Sequence, residues 1–418
     1  MPYIVLAVVF ALLAQLAYYG FAAAPEGLTL AACDQLARGV DFFAQDWGAA
    51  SLGAVMLKPL YLAAFAINGG GEGIAYLMRI ITLGLDFALA LVAYRVLTCS
   101  IGSAKALWTT VVFLVFATVV SRLGDPFGLG TSCAFASLLC AWSTHLDARE
   151  DDGQATGYLR ILKPLLCGAF AVSALAFSLV AGAFVAAVLI AALVYALRSQ
   201  GVSLLPAAWV GCGAFLVIAV YLIIAMGYAE PGAVFASIAR GLAAGVPSVF
   251  GVSLICGVVA LLGAAGFVAA FFCLSLNAGE DSLERGFRIA ATVLVAFACC
   301  GTLCVTALPA MQNGMRLVEG PGKELRVNAA DAATYSDALE IAGKVSDAKS
   351  VCVAGGADTQ WIHLLAPGKR ADDAAQWMIV PAALDASGLD LEAYGQLAAN
   401  EGFALYKRAS AIGTITQA

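Results

Sequence analysis

Carboxylates and basic side chains are concentrated in the first eighty residues of this chain. Residues 24–48, APEGLTLAACDQLARGVDFFAQDWG, hold four carboxylates and one arginine. Lys58 and Arg79 follow downstream. A carboxylate can accept a proton as a general base, and a lysine or arginine can stabilise negative charge that develops on a departing group. The spacing thus brings groups for acid–base chemistry and for anion binding into one short segment.

Simpler structural roles account for several of these residues taken alone. Glu26 at a helix start gains from the helix dipole. Lys58 can extend its ammonium from an apolar helix to a membrane interface. Arg79 precedes Asp86 by seven residues, so the two share a helix face and can pair. Asp86 itself lies midway along an apolar stretch, where an ionisable group is costly and is usually functional or paired.

The elements that must position these groups are membrane helices. The chain has 418 residues, of which 62% are hydrophobic and 12% charged, and its mean hydropathy is +0.91. A soluble domain carries about 25% charged residues. Apolar stretches of about eighteen or more residues, each able to cross about 30 Å of hydrocarbon, recur along most of the chain. We therefore predict an all-α polytopic membrane protein, and the net charge of −6 argues against a nucleic-acid partner.

Nine membrane-spanning helices are predicted, near residues 3–23, 74–97, 106–122, 129–146, 162–179, 181–197, 205–227, 249–275 and 288–308. The stretch 161–197 is too long for one crossing, so we split it at "SLVAG" into two short antiparallel helices. The first stretch lacks a basic start and an obvious cleavage site, which favours a retained helix over a signal peptide.

Basic residues in the loops orient these helices, because cytoplasmic loops carry more lysine and arginine. With the N-terminus inside, the cytoplasmic segments hold eight basic residues: Arg95, Lys105, Arg149, Arg160, Lys163, Arg198, Arg285 and Arg288. The opposite side holds five: Arg38, Lys58, Arg79, Arg122 and Arg240. This orientation places loop 24–73 and the C-terminal segment on the outer side of the cytoplasmic membrane, which the chain crosses several times.

Two helices are predicted inside loop 24–73. Leu28, Ala31, Ala32 and Leu36 have the spacing of an amphipathic helix that lies along the membrane surface. A short apolar helix of one or two turns is predicted at Lys58-Pro59-Leu60-Tyr61, before a glycine-rich turn. A further outer loop, GYAEPGAVFASIARG, carries Glu230 and Arg240.

The sequence changes character near Gln312, where most of the remaining charges begin. We predict a membrane domain over residues 1–311 and a small extracytoplasmic α/β domain over 312–418. Its expected elements are helices at 331–348 and 391–402 and strands at 349–356, 376–382 and 403–409. The Gly-Gly after the first strand lacks the GxGxxG or Walker lysine of a nucleotide site, so a capping role is favoured.

Cysteine and histidine usage excludes several kinds of site. Ten of the twelve cysteines lie in or beside apolar stretches, where cysteine acts as a small hydrophobe. With no CxxC and two histidines, a structural zinc site is not expected. Motifs such as GxSxG, HExxH and the P-loop are also missing, and the predicted topology separates His145 from His363. Histidine-based acyl transfer and hydrolysis are therefore not expected.

The order of features over residues 3–98 resembles the GT-C glycosyltransferases, membrane enzymes that use polyprenyl-phosphate sugars. It looks most like the bacterial relatives of protein mannosyltransferases and of the aminoarabinose transferase. An acidic residue follows helix 1, a glycine (Gly39) ends a surface helix, and Phe43-Gln45-Asp46 is similar to the family's Tyr/Phe-x-Asp segment. Lys58-Pro59-Leu60 and an arginine that opens helix 2 match the elements that come next.

The resemblance implies transfer of a sugar from a polyprenyl-phosphate donor to a cell-envelope acceptor, which is a lipid, glycan or protein, at the surface of the lipid bilayer. It implies Glu26 as the general base, with Asp34 and Asp46 as substitutes, and Lys58 and Arg79 as contacts to the lipid phosphate. The residues predict no metal site, and the resemblance leaves open whether a divalent metal ion assists.

Later loops extend the implied site, and the loop with Glu230 and Arg240 could cover the acceptor. Another loop extends the implied donor site. Arg122 and Asp125 would line it from the outer side, near the start of the fourth helix. Asp125-Pro126 is equally a plain helix-start signal.

The sequence departs from the family in three respects. The usual acidic pair is reduced to Glu26, the second proline after Lys58-Pro59 is missing, and nine helices are predicted where eleven or more are common. Two other functions stay open. One is a carrier or flippase of lipid-linked sugars, which would need broken helices and polar residues near the midplane. The other is a non-catalytic membrane protein whose outer domain binds a partner.

Overall fold

A computed structural model of the chain describes residues 2–19, 26–39, 42–45, 47–48, 50–115, 117, 126–149, 158–198, 205–251, 315–345, 350–355, 359–366, 369–370, 375–384, 389, 391 and 393–408. Its ten N-terminal helices are α1 (Pro2–Leu16), α2 (Leu28–Ala37), α3 (Ala50–Asn68), α4 (Ile74–Ile101), α5 (Ser103–Val115), α6 (Pro126–Arg149), α7 (Leu159–Phe177), α8 (Leu179–Arg198), α9 (Leu205–Met226) and α10 (Pro231–Gly251).

Four of these helices, α3, α4, α7 and α9, are long and apolar enough to cross a membrane, which is consistent with a membrane protein. The helices pack side by side: α4 lies against α5 and α6, and α7 lies against α6, α8 and α9. The predicted break of the 161–197 stretch is confirmed, because Ser178 is extended between α7 and α8. The predicted span 288–308 and all but the start of 249–275 lie outside the described residues.

The first helix ends earlier than predicted, at Leu16 rather than near residue 23. The backbone carbonyls just beyond it are taken by partners from elsewhere in the chain. Those of Ala17 and Tyr19 accept hydrogen bonds from Arg79, and that of Tyr18 accepts one from the Arg326 amide at 2.6 Å. These bonds satisfy the carbonyls without a further helical turn.

The amphipathic pattern of α2 predicts its existence correctly but not its surroundings. Gly39, with φ of 69°, follows its end, and the Gly39 amide bonds the Leu36 carbonyl, as expected of a glycine that closes a helix. The residues from Thr29 to Leu36 are all buried, since α2 packs between α3 and a 3₁₀ helix at Gln360–Leu364. Protein therefore covers both faces of α2, whereas the amphipathic pattern suggests a helix with one free face; its predicted position along the membrane surface stays a prediction.

Two helices are longer than the sequence suggests. The predicted one or two turns around Lys58-Pro59 belong to the 19-residue α3, which contains Pro59 within it. Its first half packs against α2, and this burial outweighs the hydrogen bond that the proline removes. The predicted outer loop with Glu230 and Arg240 is instead largely the helix α10, which begins at Pro231, a favoured first helical residue.

The C-terminal unit is a small α/β structure. Strands β1 (Met315–Leu317) and β2 (Arg326–Asn328) form an antiparallel ribbon, and helix α11 (Ala329–Gly343) follows. The main sheet contains β3 (Ser350–Val353), β4 (Lys369–Arg370), β5 (Trp377–Pro381), β6 (Tyr394–Ala399) and β7 (Phe403–Arg408). Its order is β4-β3-β5-β7-β6, with β3 parallel to β4 and β5 and the other pairs antiparallel.

The helix predicted at 391–402 is wrong, since β6 occupies residues 394–399. Leu and Ala residues favour a helix locally, but pairing with β7 prevails. Asn400 fixes the turn between the two strands: its side-chain oxygen accepts from the amides of Gly402 and Phe403 at 3.2 and 2.9 Å. An asparagine that bonds the backbone two and three residues ahead is typical of a turn.

The C-terminal unit packs onto one end of the helical part. Buried residues of α2, of the segment 42–47 and of the first half of α3 form one continuous hydrophobic core with those of α11, β3, β5 and β7. The Gly73 amide, just before α4, bonds the Gly320 carbonyl at 2.9 Å. The segment between α1 and α4 and the C-terminal unit therefore lie together at the same end of the helices.

Candidate functional site

Two polar side chains of α3 point at α2. Lys58 and Tyr61 are three residues apart and so lie on one face of the helix. The Lys58 ammonium donates to the Leu36 carbonyl at 3.3 Å. The Tyr61 hydroxyl donates to Asp34 Oδ1 at 3.0 Å. The α2–α3 contact thus holds a cation and a carboxylate, each bonded to a partner on the other helix.

Asp34 is buried, and two neighbours bind its carboxylate. Tyr61 binds one oxygen, and Arg38, one helical turn further along α2, approaches the other with Nε at 2.7 Å. The Arg38 side chain is exposed, so water screens its charge and the ion pair contributes little energy. Asp34 therefore depends mainly on the tyrosine for its position.

Cys33, next to Asp34 in the chain, links α2 to α3. This thiol is buried and donates to the Ala54 carbonyl at 3.6 Å. Burial raises the pKa of Cys33 well above its ordinary value, the negative charge of Asp34 raises it further, and the positive charge of Lys58 opposes both. Both charges thus lie within electrostatic range of this buried thiol.

Tyr228 covers the Lys58 ammonium from the turn between α9 and α10. The ammonium lies 4.0 Å from the centre of the Tyr228 ring, within the range of a cation–π contact, and it also contacts the Tyr228 hydroxyl. Tyr228 is 40% exposed whereas Lys58 is 9% exposed. The exposed tyrosine thus lies against the buried ammonium.

Glu26 and Arg79 form a second, fully buried pair. Arg79 Nε donates to Glu26 Oε1 at 2.6 Å and Nη2 to Oε2 at 2.5 Å, which is the two-pronged geometry of a strong arginine–carboxylate contact. The remaining Nη1 donates to the carbonyls of Ala17 and Tyr19 at 2.9 and 3.2 Å. Arg79 therefore ties α4 to the end of α1 and the start of α2.

This arrangement changes the roles expected for the pair. Both oxygens of Glu26 are held by a guanidinium, which leaves them poorly placed to take a proton from an acceptor. The Arg79 guanidinium in turn donates its hydrogen bonds to Glu26 and to two backbone carbonyls. In this geometry the pair links α4 to the end of α1 and the start of α2.

Asp86 does not pair with Arg79. The Asp86 carboxylate lies 2.5 Å from the Ser132 hydroxyl on α6, and both residues are buried. The polar residue in the middle of α4 therefore links two helices, as expected of an ionisable group within an apolar bundle.

Three of the residues predicted for the site, Asp46, Arg122 and Asp125, lie outside the described residues. Of the loop predicted to cover an acceptor, Glu230 is exposed, and Arg240 donates to the Phe43 carbonyl at 2.9 Å. That contact holds α10 against the segment that precedes α3.

A metal centre does not fit the donor set that the structure describes. Within that part of the chain, no three His, Cys, Asp or Glu side chains come together as metal ligands. Glu26 is taken by Arg79, and Asp34 by Tyr61 and Arg38.

Sequence reasoning missed two members of the site. Tyr61 stands three residues after Lys58, and helical spacing would have placed it on the same face. Tyr228 is 170 residues from Lys58 along the chain, and no local pattern links them. Comparison of the chain with protein-family models, with curated proteins and with solved structures finds no match.

Proposed function

We propose that this chain is an integral membrane glycosyltransferase of the GT-C kind, which moves a sugar from a polyprenyl-phosphate donor to a cell-envelope acceptor. The observation that carries the proposal is that one α2–α3 contact, at one end of an apolar helical bundle, holds both the buried Lys58 ammonium and the buried Asp34 carboxylate. A lipid-linked phosphate has its tail in the bilayer and its charged head at the membrane surface. A buried ammonium and a buried carboxylate at one helix contact, at the end of apolar helices, suit such a substrate.

The proposed chemistry is one displacement at the anomeric carbon of the sugar. The acceptor hydroxyl gives its proton to the Asp34 carboxylate while its oxygen attacks that carbon. The bond from the carbon to the phosphate oxygen breaks, and the Lys58 ammonium stabilises the charge that the lipid phosphate gains. General-base catalysis of this kind contributes about 10²–10⁴-fold to a rate. Charge stabilisation in a site without water adds to it.

Asp34 replaces Glu26 as the proposed base because of its partners. A buried guanidinium binds both oxygens of Glu26, whereas a neutral tyrosine and an exposed arginine bind Asp34. Glu26 and Arg79 become positioning residues, which hold α2 in register with α4. Tyr228 is proposed to move aside when the donor phosphate reaches Lys58.

The proposal includes an orientation. We place the segment 24–73 and the C-terminal unit at the outer face of the cytoplasmic membrane, with nine crossings in all. The larger number of basic residues in the opposite loops supports this orientation. The packing of the segment before α4 against the C-terminal unit supports their location on a common side.

A flippase for lipid-linked sugars is the second candidate, and the buried Asp86–Ser132 contact is the feature that favours it. Polar groups near the midplane of a bundle are expected along a transport path. One such contact within the described helices is better explained as a link between α4 and α6. A partner-binding protein without catalysis would need neither Asp34 nor Lys58 in this arrangement.

Lys58→Met tests the phosphate-binding role. We expect the variant, in membranes supplied with a polyprenyl-phosphate sugar, to lose most of its transfer activity, by about 100-fold or more, since a charge-stabilising contact is worth several kcal/mol at such a site. The measurement is the rate of label transfer at several donor concentrations.

Lys105→Met is the matched control, because Lys105 lies near the start of α5 and far from the α2–α3 contact. It should transfer sugar at the wild-type rate. Equal activity of Lys58→Met and Lys105→Met would remove Lys58 from the site.

A further inference from the structure

Helix α3 has the length and composition of a membrane-crossing helix. Its 19 residues are apolar enough for a span, and at about 1.5 Å per residue they cover roughly 28 Å, close to the hydrocarbon thickness of about 30 Å. Judged by these properties alone, α3 would be counted with α4, α7 and α9. Its contacts lead to a different conclusion.

Both ends of α3 lie against the C-terminal unit. At its start, the Ala50 amide bonds the Trp47 carbonyl. The ring centre of Trp47 lies 6.0 Å from that of His363, in the C-terminal unit. Just after its end, Glu72 pairs with Lys323 at 3.0 Å, and the Gly73 amide bonds the Gly320 carbonyl. A helix across a bilayer would have its ends on opposite sides, whereas one small folded unit touches both ends of α3.

The direction of the neighbouring helices leads to the same result. The end of α1 meets the C-terminal unit through Tyr18 and Arg326, and the start of α4 meets it through Gly73. The chain between them therefore leaves and returns on one side. A single crossing by α3 would need a second crossing to return. Helix α2, with ten residues, is too short to supply it.

The second half of α3 exposes an apolar surface. Leu62 and Phe65 are 43% and 39% exposed, and Ile67 is 74% exposed, while residues 59–68 contain no charged side chain. Helix α3 packs on α4 and α9, which expose apolar side chains of their own, such as Val92 and Met226. The second half of α3 thus presents an apolar surface like those of the helices on which it packs. Burying it in lipid gains about 25 cal/mol per Å².

We infer that α3 lies in the membrane surface under the C-terminal unit and embeds the face formed by Leu62, Phe65 and Ile67 in one leaflet. Its partner is the bilayer itself. Lys58 lies at the boundary between the covered first half and the embedded second half, at the depth of the lipid headgroups. The inference rests on contacts alone and holds whether or not the chain transfers sugars.

Labelling from one side of the membrane tests the position of α3. Asn68→Cys, at the exposed end of α3, would be treated with a membrane-impermeant maleimide in sealed vesicles of known orientation, and the label located by mass spectrometry, which separates it from the native cysteines. Glu319→Cys marks the side of the C-terminal unit, and Ser103→Cys, beyond the far end of α4, marks the opposite side. Asn68→Cys should be labelled together with Glu319→Cys. Labelling together with Ser103→Cys would overturn the inference.

Photocrosslinking tests the partner. Benzoylphenylalanine would be placed at Phe65 and at Ile67, with Leu397 as the control, since Leu397 is 56% exposed on β6 of the C-terminal unit. In vesicles of phosphatidylglycerol and phosphatidylcholine, the two α3 positions should give phospholipid adducts and Leu397 none. Adducts to a second copy of the chain, or no lipid adducts at either α3 position, would contradict a lipid-embedded face.

Discussion

Replacing Arg79 by alanine is expected to lower the free energy of unfolding by about 3–5 kcal/mol, the usual cost of removing one partner from a buried ion pair. The loss strands the Glu26 carboxylate, which is 1% exposed, and frees the carbonyls of Ala17 and Tyr19. Arg79→Lys should recover little, because an ammonium cannot reproduce the two parallel hydrogen bonds to the carboxylate. Unfolding in detergent, followed by circular dichroism during a denaturant titration, measures the change.

Arg95→Ala is the control for this prediction, since Arg95 is an exposed arginine on the same helix. Its removal should leave stability within about 0.5 kcal/mol of the wild type. The double variant Glu26→Leu/Arg79→Leu should be more stable than Arg79→Ala, because no unpaired charge stays buried. If Arg79→Ala unfolds at the same denaturant concentration as Arg95→Ala, then the pair does not hold α1, α2 and α4 together.

Gly213→Val should destabilise the bundle by about 3 kcal/mol or more, at or above the upper end of the range for overpacking. Helices α7 and α9 approach closely at two glycines. A Cβ on Gly213 would lie 1.9 Å from the Leu165 carbonyl oxygen, and a Cβ on Gly168 would lie 1.9 Å from that of Val210. The obstructing atoms belong to backbone, so a side-chain rotation cannot relieve the clash and the helices must separate.

The same helix offers a matched control. A Cβ on Gly211 meets nothing within 4 Å, so Gly211→Ala should change stability by about 1 kcal/mol or less, in the stabilising direction. The effect of Gly213→Val should also reach the candidate site, because Phe177 at the end of α7 contacts α3 at Gly53. Wild-type stability of Gly213→Val would show that the two helices do not pack this closely.

Helix positions were predictable where one apolar pattern decides them. Residues 74–97 and 205–227 are predicted spans that match α4 and α9 closely, because membrane-length apolar stretches have few alternatives to a helix. The break at Ser178 was also predictable, since the combined stretch exceeds one membrane thickness. In the C-terminal unit, the short strands β3, β5 and β7 were found from local runs of apolar residues.

Contacts distant along the chain were not predictable. The Glu26–Arg79 pair joins residues 53 positions apart, and the sequence equally permitted Arg79 to pair with Asp86, two helical turns away on the same face of α4. Burial of α2 on both faces depends on the 3₁₀ helix at Gln360–Leu364, more than 300 residues later. The strand β6 depends on its partner β7. In each case tertiary packing decides between alternatives that local sequence leaves equal.

The identity of the general base illustrates the same limit within the site. Glu26, Asp34 and Asp46 are all carboxylates in one segment, and composition does not rank them. The contacts distinguish the two carboxylates, because a buried arginine binds Glu26 whereas a tyrosine binds Asp34.

The central claim is that Asp34 takes a proton while a sugar leaves its lipid phosphate. The most direct test is sugar transfer by the purified protein in lipid vesicles, with a labelled polyprenyl-phosphate sugar as donor and an envelope lipid fraction as acceptor. Asp34→Asn should fold as the wild type does and transfer about 10²–10⁴-fold more slowly, whereas Arg38→Gln should keep most of the activity. Wild-type transfer by Asp34→Asn, or movement of the donor across the bilayer by the wild type with no transfer, would contradict the account.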